Sequence, residues 1–225
     1  MFKKATFMLA GTLMLTAAIV VVLKPALLDM QAEAASEDAG QAESSLVRSH
    51  SPILGPQEAP ITIVEFFDPA CEACRAFYPL TKSILETYPE QVQLIVRYTP
   101  FHGEVSDMAI RVLEVARHQD VFEPVLEALL SRQDQWASHG RFDESAILEI
   151  ASQAGLDRAA AEEQLNSAEV QAVIDQDMAG VKTNQIRQTP TFFVNGELLE
   201  PFGMQELIDV VKSEIEEISE EAKAQ

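Results

Sequence analysis

Basic residues are scarce in this chain of 225 residues. Lys and Arg total 16 against 36 Asp and Glu, so the net charge is −20 at pH 7. A protein this acidic repels phosphate backbones and anionic lipid headgroups. We therefore expect no nucleic-acid partner.

Cysteine is scarcer still, because the chain has only Cys71 and Cys74, both within the stretch FFDPACEACRAF. A closed zinc site needs about four ligands, and the His residues do not pair at the spacing of zinc sites. We expect no metal and no other cofactor. A Cu(I) carrier that uses the two thiolates remains an alternative, because soft thiolates select Cu(I). The chain has four His: His50, His102, His118 and His139.

Charge is absent from residues 5–23, ATFMLAGTLMLTAAIVVVL, which follow two Lys. As a helix this run is about 28 Å long, close to the bilayer hydrocarbon core of about 30 Å. We predict that residues 1–30 are a signal anchor that contacts the membrane through residues 5–23. The alternative is a cleaved signal peptide, because residues 32–34 resemble a processing site.

Both interpretations of the N-terminus place the rest of the chain in the cell envelope, on the periplasmic or extracytoplasmic side. It is anchored to the inner membrane in the first interpretation and soluble in the periplasm in the second. Residues 31–45, QAEAASEDAGQAESS, are small or polar with no apolar periodicity, and we predict a flexible linker over residues 31–50. The folded domain is then expected over residues 51–225.

The apolar patterns of this domain alternate between strand and helix. ITIVEFF, residues 61–67, is β-branched and aromatic and predicts a buried strand, with an amphipathic helix after it. A second strand is expected over residues 91–99 and a helical block over approximately 104–186. Asn195-Gly196 predicts a two-residue hairpin. A final amphipathic helix ends the domain.

The two cysteines lie where the first strand gives way to the first helix. At a helix N-terminus, unpaired N–H groups and the helix dipole stabilise a thiolate, which favours Cys71 as the nucleophile. Cys74 is three residues away on the same helical face and is placed to resolve a mixed disulfide. A permanent structural disulfide is the third interpretation, but so short a loop contributes little stability.

Two motifs in this order resemble those of the thioredoxin-fold thiol:disulfide oxidoreductases, in their exported DsbA-like branch. They are VEFFDPACEACRAFYP and the downstream QTPTFFVNG. The resemblance spans about residues 51–222. It implies an α/β thioredoxin fold with a helical insertion between the second strand and a cis-proline loop, and it implies that Thr189-Pro190 is a cis peptide.

The resemblance also implies roles for residues outside the cysteine pair. The backbone of Thr189, beside Pro190, would pair with a substrate strand through main-chain hydrogen bonds. Glu65 stands where the family carries a buried acid. A carboxylate whose pKa burial has raised can accept the proton that Cys74 must lose to resolve a mixed disulfide. A surface position for Glu65 is the simpler alternative, as is a strand-entry role for Pro190.

Between the cysteines the sequence departs from the family, because Glu72 and Ala73 stand where a Pro usually follows the first Cys. The Glu72 charge is expected to raise the pKa of Cys71 and make the disulfide less oxidising, with Arg75 offsetting part of the effect. Glu is also simply favourable in a first helical turn. His102, in the loop after the second strand, is either near the site or merely polar.

These observations predict a monomeric enzyme that exchanges disulfides with cysteine-containing proteins through Cys71 and Cys74. Disulfide formation is the favoured direction, and a reductase or isomerase of the same fold is the alternative. Because the chain has no third cysteine, it cannot pass electrons to a second internal pair. A membrane redox partner is therefore expected to recycle the site, with the anchor holding the two proteins close together.

Overall fold

The computed structural model of the chain describes residues 46–138 and 141–224. The predicted membrane segment, the predicted processing site, residues 31–45 of the predicted linker and His139 lie outside this range. Within the described range, no helix has the length and apolar character needed to cross a membrane.

The described residues form seven strands, β1 (Ile53–Leu54), β2 (Ile61–Phe67), β3 (Val92–Tyr98), β4 (Ala137–Ser138), β5 (Arg141–Phe142), β6 (Thr191–Val194) and β7 (Glu197–Leu198). Five of them make the central sheet, in the order β1-β3-β2-β6-β7. β2 and β3 run parallel, whereas β1 pairs antiparallel with β3 and β6 pairs antiparallel with β2. A second, two-stranded sheet, β4-β5, lies within the helical block and was not predicted.

The helices follow the predicted order, and the helical block divides into six between β3 and β6 among the described residues. Asp143 and Asp157 cap two of these helices, each accepting a hydrogen bond from a backbone N–H three residues on. The helices are α1 (Glu72–Thr87), α2 (Glu104–His118), α3 (Phe122–Ser131), α4 (Gln133–Trp136), α5 (Glu144–Gln153), α6 (Arg158–Gln164), α7 (Ala168–Thr183) and α8 (Met204–Ala224).

The two faces of β2 pack into different clusters because alternate side chains leave a strand on opposite sides. Ile61, Ile63 and Phe67 join the larger cluster, which also contains both cysteines. Val64 and Phe66 join the smaller one. Covering on both faces explains why this strand is apolar at most positions on either side. It also places the remaining odd-numbered side chain, that of residue 65, on the face that carries the cysteines.

The smaller cluster surrounds a buried ion pair that also holds the start of the domain. The Nε of Arg97 donates to Asp177 Oδ1 over 2.7 Å, and the other carboxylate oxygen accepts from the N–H of Tyr98 over 2.8 Å. The Nε2 of His50 lies 3.0 Å from Asp177 Oδ1, and the carbonyl of Leu46 accepts from Arg97. Leu46 and His50, at the end of the predicted linker, therefore contact the domain.

Candidate active site

Three loops meet at one edge of the sheet because of the strand directions. The carboxyl ends of the parallel strands β2 and β3 lead into residues 68–71 and 99–103. β6 runs antiparallel to β2, so the loop before it reaches the same edge. The two cysteines, the loop with His102 and the predicted cis-proline are therefore neighbours at the carboxyl ends of the parallel strands, where α/β sheets commonly bind their ligands.

Cys71 is the N-cap residue of α1, and both cysteines are free thiols in the structure. Its Sγ lies 3.2 Å from the carbonyl oxygen of Thr189, 118 residues away. That contact is available only to the protonated thiol, because a carbonyl accepts and does not donate. Cys71 is 7% exposed, whereas Cys74 is fully buried. The sulfur that a substrate can reach is therefore that of Cys71.

The pKa of Cys71 is lowered from 9.0 to about 5. The largest cause is a hydrogen bond from the Cys74 thiol, and burial opposes it. The side chain of Thr189 and the backbone N–H groups of Ala73 and Cys74, at the start of α1, also stabilise the anion. Cys71 is therefore predominantly a thiolate at neutral pH.

Alkylation gives a direct test of this pKa. The rate of reaction of the reduced protein with iodoacetamide is expected to be half-maximal near pH 5, because the thiolate is the reactive form. In the unfolded protein the midpoint should move to about 8.5, the ordinary value for cysteine. A folded-state midpoint at the unfolded value would contradict the hydrogen-bond network described here.

The environment of Cys74 raises the pKa of its thiol, whereas that of Cys71 lowers it. Burial raises the pKa of the Cys74 thiol far above the ordinary value, and the hydrogen bond that it donates to Cys71 raises it further. The negative charges of Glu65 and Cys71 act in the same direction. The backbone N–H of Asp68, 3.5 Å from the sulfur, lowers it slightly. Cys74 must therefore exchange its proton with a group inside the protein when its bond to Cys71 forms or breaks.

Glu65 is buried beneath this pair, being 3% exposed, so it is not on the surface of the sheet. Burial raises its pKa from 4.5 to about 8, and the charge of Cys71 raises it as well. Its Oε1 has no hydrogen-bond partner among the residues that the structure describes. An acid with a pKa near neutrality and a free oxygen is suited to proton transfer.

The peptide bond between Thr189 and Pro190 is cis, as the family resemblance implied. Pro190 is buried and Thr189 is half-buried, and the Thr189 carbonyl is the one in contact with Cys71. The structure thus brings together Cys71, Cys74 and this loop. A second cis peptide, Glu200-Pro201, lies after the hairpin and was not predicted.

Glu72 and Ala73 lie in the first turn of α1 and are exposed to solvent. Water and salt screen a charge in this position. The pKa of Cys71 is low in spite of the neighbouring carboxylate. The influence of Glu72 on the redox potential stays a prediction.

Sequence reasoning missed two residues that hold the Cys71 loop in place. The carboxylate of Asp68 is fully buried and accepts hydrogen bonds from the N–H groups of Ala70 and Phe101, both over 2.8 Å. Gln133, in α4, donates through Nε2 to the carbonyls of Pro69 (2.8 Å) and Cys71 (3.1 Å). A charged residue directly after a mostly apolar buried strand was the available sequence signal for Asp68.

A sequence profile of the family described as Thioredoxin matches residues 48–213. The match covers more than half of the chain, including the cysteines, the cis-proline loop and the helical block between them. The chain belongs to the thioredoxin family. The resemblance seen in the two motifs is therefore confirmed.

Individual relatives of this thioredoxin-family chain have different overall lengths. The Na(+)/H(+) antiporter NhaA 3 of Salinispora tropica is 30% identical over 146 residues, which are 64% of this chain and 21% of the antiporter. The chain thus spans about a fifth of that relative. Disulfide bond formation protein D of Bacillus subtilis is 23% identical over 176 residues, 73% of this chain and 77% of the relative.

A solved structure supports the fold of this thioredoxin-family member independently. A thioredoxin-like oxidoreductase from Silicibacter pomeroyi is 33% identical, with a TM-score of 0.66. The superposition covers 75% of this chain and 95% of the other. The predicted thioredoxin-like α/β fold with a large helical content is therefore confirmed.

Proposed function

We propose that the chain is a thiol:disulfide oxidoreductase that forms disulfide bonds in cysteine-containing proteins of the cell envelope. The observation that carries this proposal is the asymmetry of the cysteine pair. Cys71 is a low-pKa thiolate at the surface of the site, and Cys74 is a buried neutral thiol that donates a hydrogen bond to it. Cys71 is therefore suited to react with the substrate, and Cys74 to form or break the disulfide bond within the enzyme.

The oxidising reaction starts from the Cys71–Cys74 disulfide. A substrate thiolate attacks Cys71, the Cys71–Cys74 bond breaks, and its electron pair goes to Cys74, which takes a proton from Glu65. The substrate now shares a mixed disulfide with Cys71 and lies along the backbone of Thr189. A second substrate thiolate attacks the substrate sulfur of this bond, and Cys71 leaves as a thiolate. The substrate has lost two electrons and the enzyme pair has gained them.

The low pKa of Cys71 supports the oxidising direction. At pH 7 a thiol with a pKa of about 5 is ionised about 100-fold more than it is protonated, which stabilises the dithiol form by that factor. This makes the disulfide about 60 mV more oxidising than the same pair with an ordinary Cys71. The name of the Bacillus subtilis relative, a disulfide bond formation protein, favours the same direction.

The Cu(I) carrier is supported less well by the site. A two-thiolate metal site needs both sulfurs deprotonated. Cys74 is fully buried and its pKa is strongly raised, so its deprotonation is costly. A reductase or isomerase would use the same residues in the reverse direction.

The location and the partner follow from the N-terminal sequence and from the cysteine count. We propose that residues 5–23 anchor the monomer to the inner membrane with its active site on the periplasmic side. A membrane redox protein would then remove the two electrons that each substrate leaves on Cys71 and Cys74. The anchor raises the effective concentration of the site near that partner.

Thiol trapping in cells tests the direction of the reaction. Acid quenching followed by alkylation is expected to find Cys71 and Cys74 mostly as a disulfide, because a disulfide-forming enzyme is kept oxidised between substrates. Deleting the recycling partner should shift the pair to the dithiol. A pair that is fully reduced in growing cells would overturn the oxidising direction and favour the reductase or isomerase.

A further inference from the structure

The imidazole of His102 lies at the edge of the site and has no role in the proposed exchange between the substrate and Cys71. The Nδ1 of His102 is 2.7 Å from Asp68 Oδ2, and the same oxygen accepts from the backbone N–H of His102 over 3.1 Å. The Asp68 carboxylate is fully buried, whereas the His102 side chain is 49% exposed. A buried carboxylate thus holds an imidazole whose other side faces solvent.

The hydrogen bond to Asp68 decides which ring nitrogen is basic. A proton on Nδ1 is held by the carboxylate, so in the neutral ring the lone pair is on Nε2. Asp68 also fixes the orientation of the ring, because it holds both the backbone and the side chain of His102. A base oriented by a buried acid is the arrangement that activates nucleophiles in many enzymes.

The position of His102 suits a proton acceptor for the incoming substrate. Asp68 lies between the two functional parts, because its N–H is 3.5 Å from the sulfur of Cys74 and its carbonyl accepts from the N–H of Cys71 over 3.1 Å. The loop of His102 flanks the Cys71 loop on the β3 side, and Thr189 flanks it on the β6 side. A substrate cysteine that reaches Cys71 therefore approaches between the loop of Thr189 and the loop of His102.

We propose that Nε2 of His102 takes the proton of the substrate thiol in the first oxidising step. An ordinary cysteine has a pKa of about 8.5, so roughly 3% of it is thiolate at pH 7. The imidazole converts the bound thiol to a thiolate, which attacks Cys71. The Cys71–Cys74 bond breaks, Cys74 takes the proton of Glu65, and His102 later returns its proton to water. This inference rests on the proposed oxidising function.

The variant His102→Asn isolates this role, because the Asn amide can still donate to Asp68 while the base is lost. The rate constant for attack on the oxidised protein is measured at pH 7 with a series of small thiols of increasing acidity. With ordinary thiols the variant is expected to be slower by up to about 30-fold, the inverse of the thiolate fraction. With thiols that are already ionised at pH 7 it should match the wild type. The equilibrium constant with glutathione should not change, because a base alters the rate alone.

His118→Asn is the matched control, since His118 also lies beside a buried carboxylate, with its Nε2 3.2 Å from Glu114 Oε1. It is expected to keep the wild-type rate with every thiol. An equal loss for acidic and ordinary thiols, or no loss, in His102→Asn would overturn the proposal. His102→Gln provides the same comparison if the Asn variant does not fold. A wild-type protein that oxidises none of the thiols would instead contradict the proposed function.

Discussion

Replacing Cys71 by Ser is expected to abolish thiol–disulfide exchange, reducing it to the uncatalysed background. Cys71 is the thiolate of the pair and the only one of the two cysteines with exposed surface. A Ser hydroxyl does not ionise near neutral pH and cannot form a mixed disulfide. The measurement is the oxidation of a reduced protein substrate by the purified full-length variant, with thermal unfolding recorded to show that it is folded.

Cys74→Ser is the informative companion, because it should retain attack and lose resolution. The Ser hydroxyl can replace the Cys74 thiol as hydrogen-bond donor to Cys71, which is the largest cause of the low Cys71 pKa. The reduced variant is therefore expected to attack substrate disulfides and accumulate as mixed disulfides that gel electrophoresis detects. Exchange that survives in Cys71→Ser would refute the assignment of the nucleophile. Turnover at the wild-type rate in Cys74→Ser would refute that of the resolving cysteine.

The parts of the fold that the sequence predicted well are those specified by neighbouring residues. β2 was predicted at its observed bounds because six of its seven residues are apolar or β-branched and the run ends at Asp68-Pro69. The hairpin at Asn195-Gly196 was equally local, since both residues adopt the positive φ angles that this turn requires. The predicted second strand, 91–99, is one residue too long at each end, because strand ends depend on partner strands rather than on composition.

The parts that could not be predicted depend on contacts between distant residues. Asp68 meets His102 across 34 residues, and Gln133 meets the carbonyls of Cys71 and Pro69 across 62 and 64. Hydrophobic periodicity carries no information about such pairs. The first contact joins the loop after β3 to the redox loop, and the second joins the helical block to it. A large part of what positions Cys71 therefore comes from outside the two motifs that revealed the family.

For Glu65, the sequence pattern predicts burial but not the pKa. Its burial was foreseeable because β2 is apolar on both faces, and its alignment with the cysteines follows from strand alternation. The size of its pKa shift was not foreseeable, since it depends on complete burial and on the charge of Cys71. The consequence is that the site holds one acid whose protonation state changes close to physiological pH.

Glu65→Gln is expected to slow the oxidation of substrate thiols by about 10²- to 10⁴-fold, the usual contribution of a positioned proton donor. In the disulfide form Cys71 carries no charge, so burial alone raises the Glu65 pKa, and it lies below about 8. The protonated acid is the active form, so the wild-type rate with an already ionised thiol should fall as the pH rises through this pKa. The variant should show no such fall. Stopped-flow fluorescence across this pH range measures the oxidation rates of the wild type and of the variant.

Glu65→Gln is expected to increase the stability of the reduced protein at high pH although it slows the oxidation of substrate thiols. The pKa of Glu65 is raised on folding, so the folded state favours the neutral acid. The contribution of the neutral acid to the free energy of unfolding is complete below pH 4.5 and is lost as the pH rises through about 8. The reduced Gln variant should therefore be more stable than the wild type above pH 8, by on the order of 5 kcal/mol.

Glu114→Gln is the control for this prediction, because Glu114 is a buried carboxylate paired with Arg117. This control variant should be less stable than the wild type and keep the wild-type pH dependence of oxidation. A Glu65→Gln variant that gains stability at high pH and still oxidises thiols at the wild-type rate would show that the acid is buried without serving the reaction.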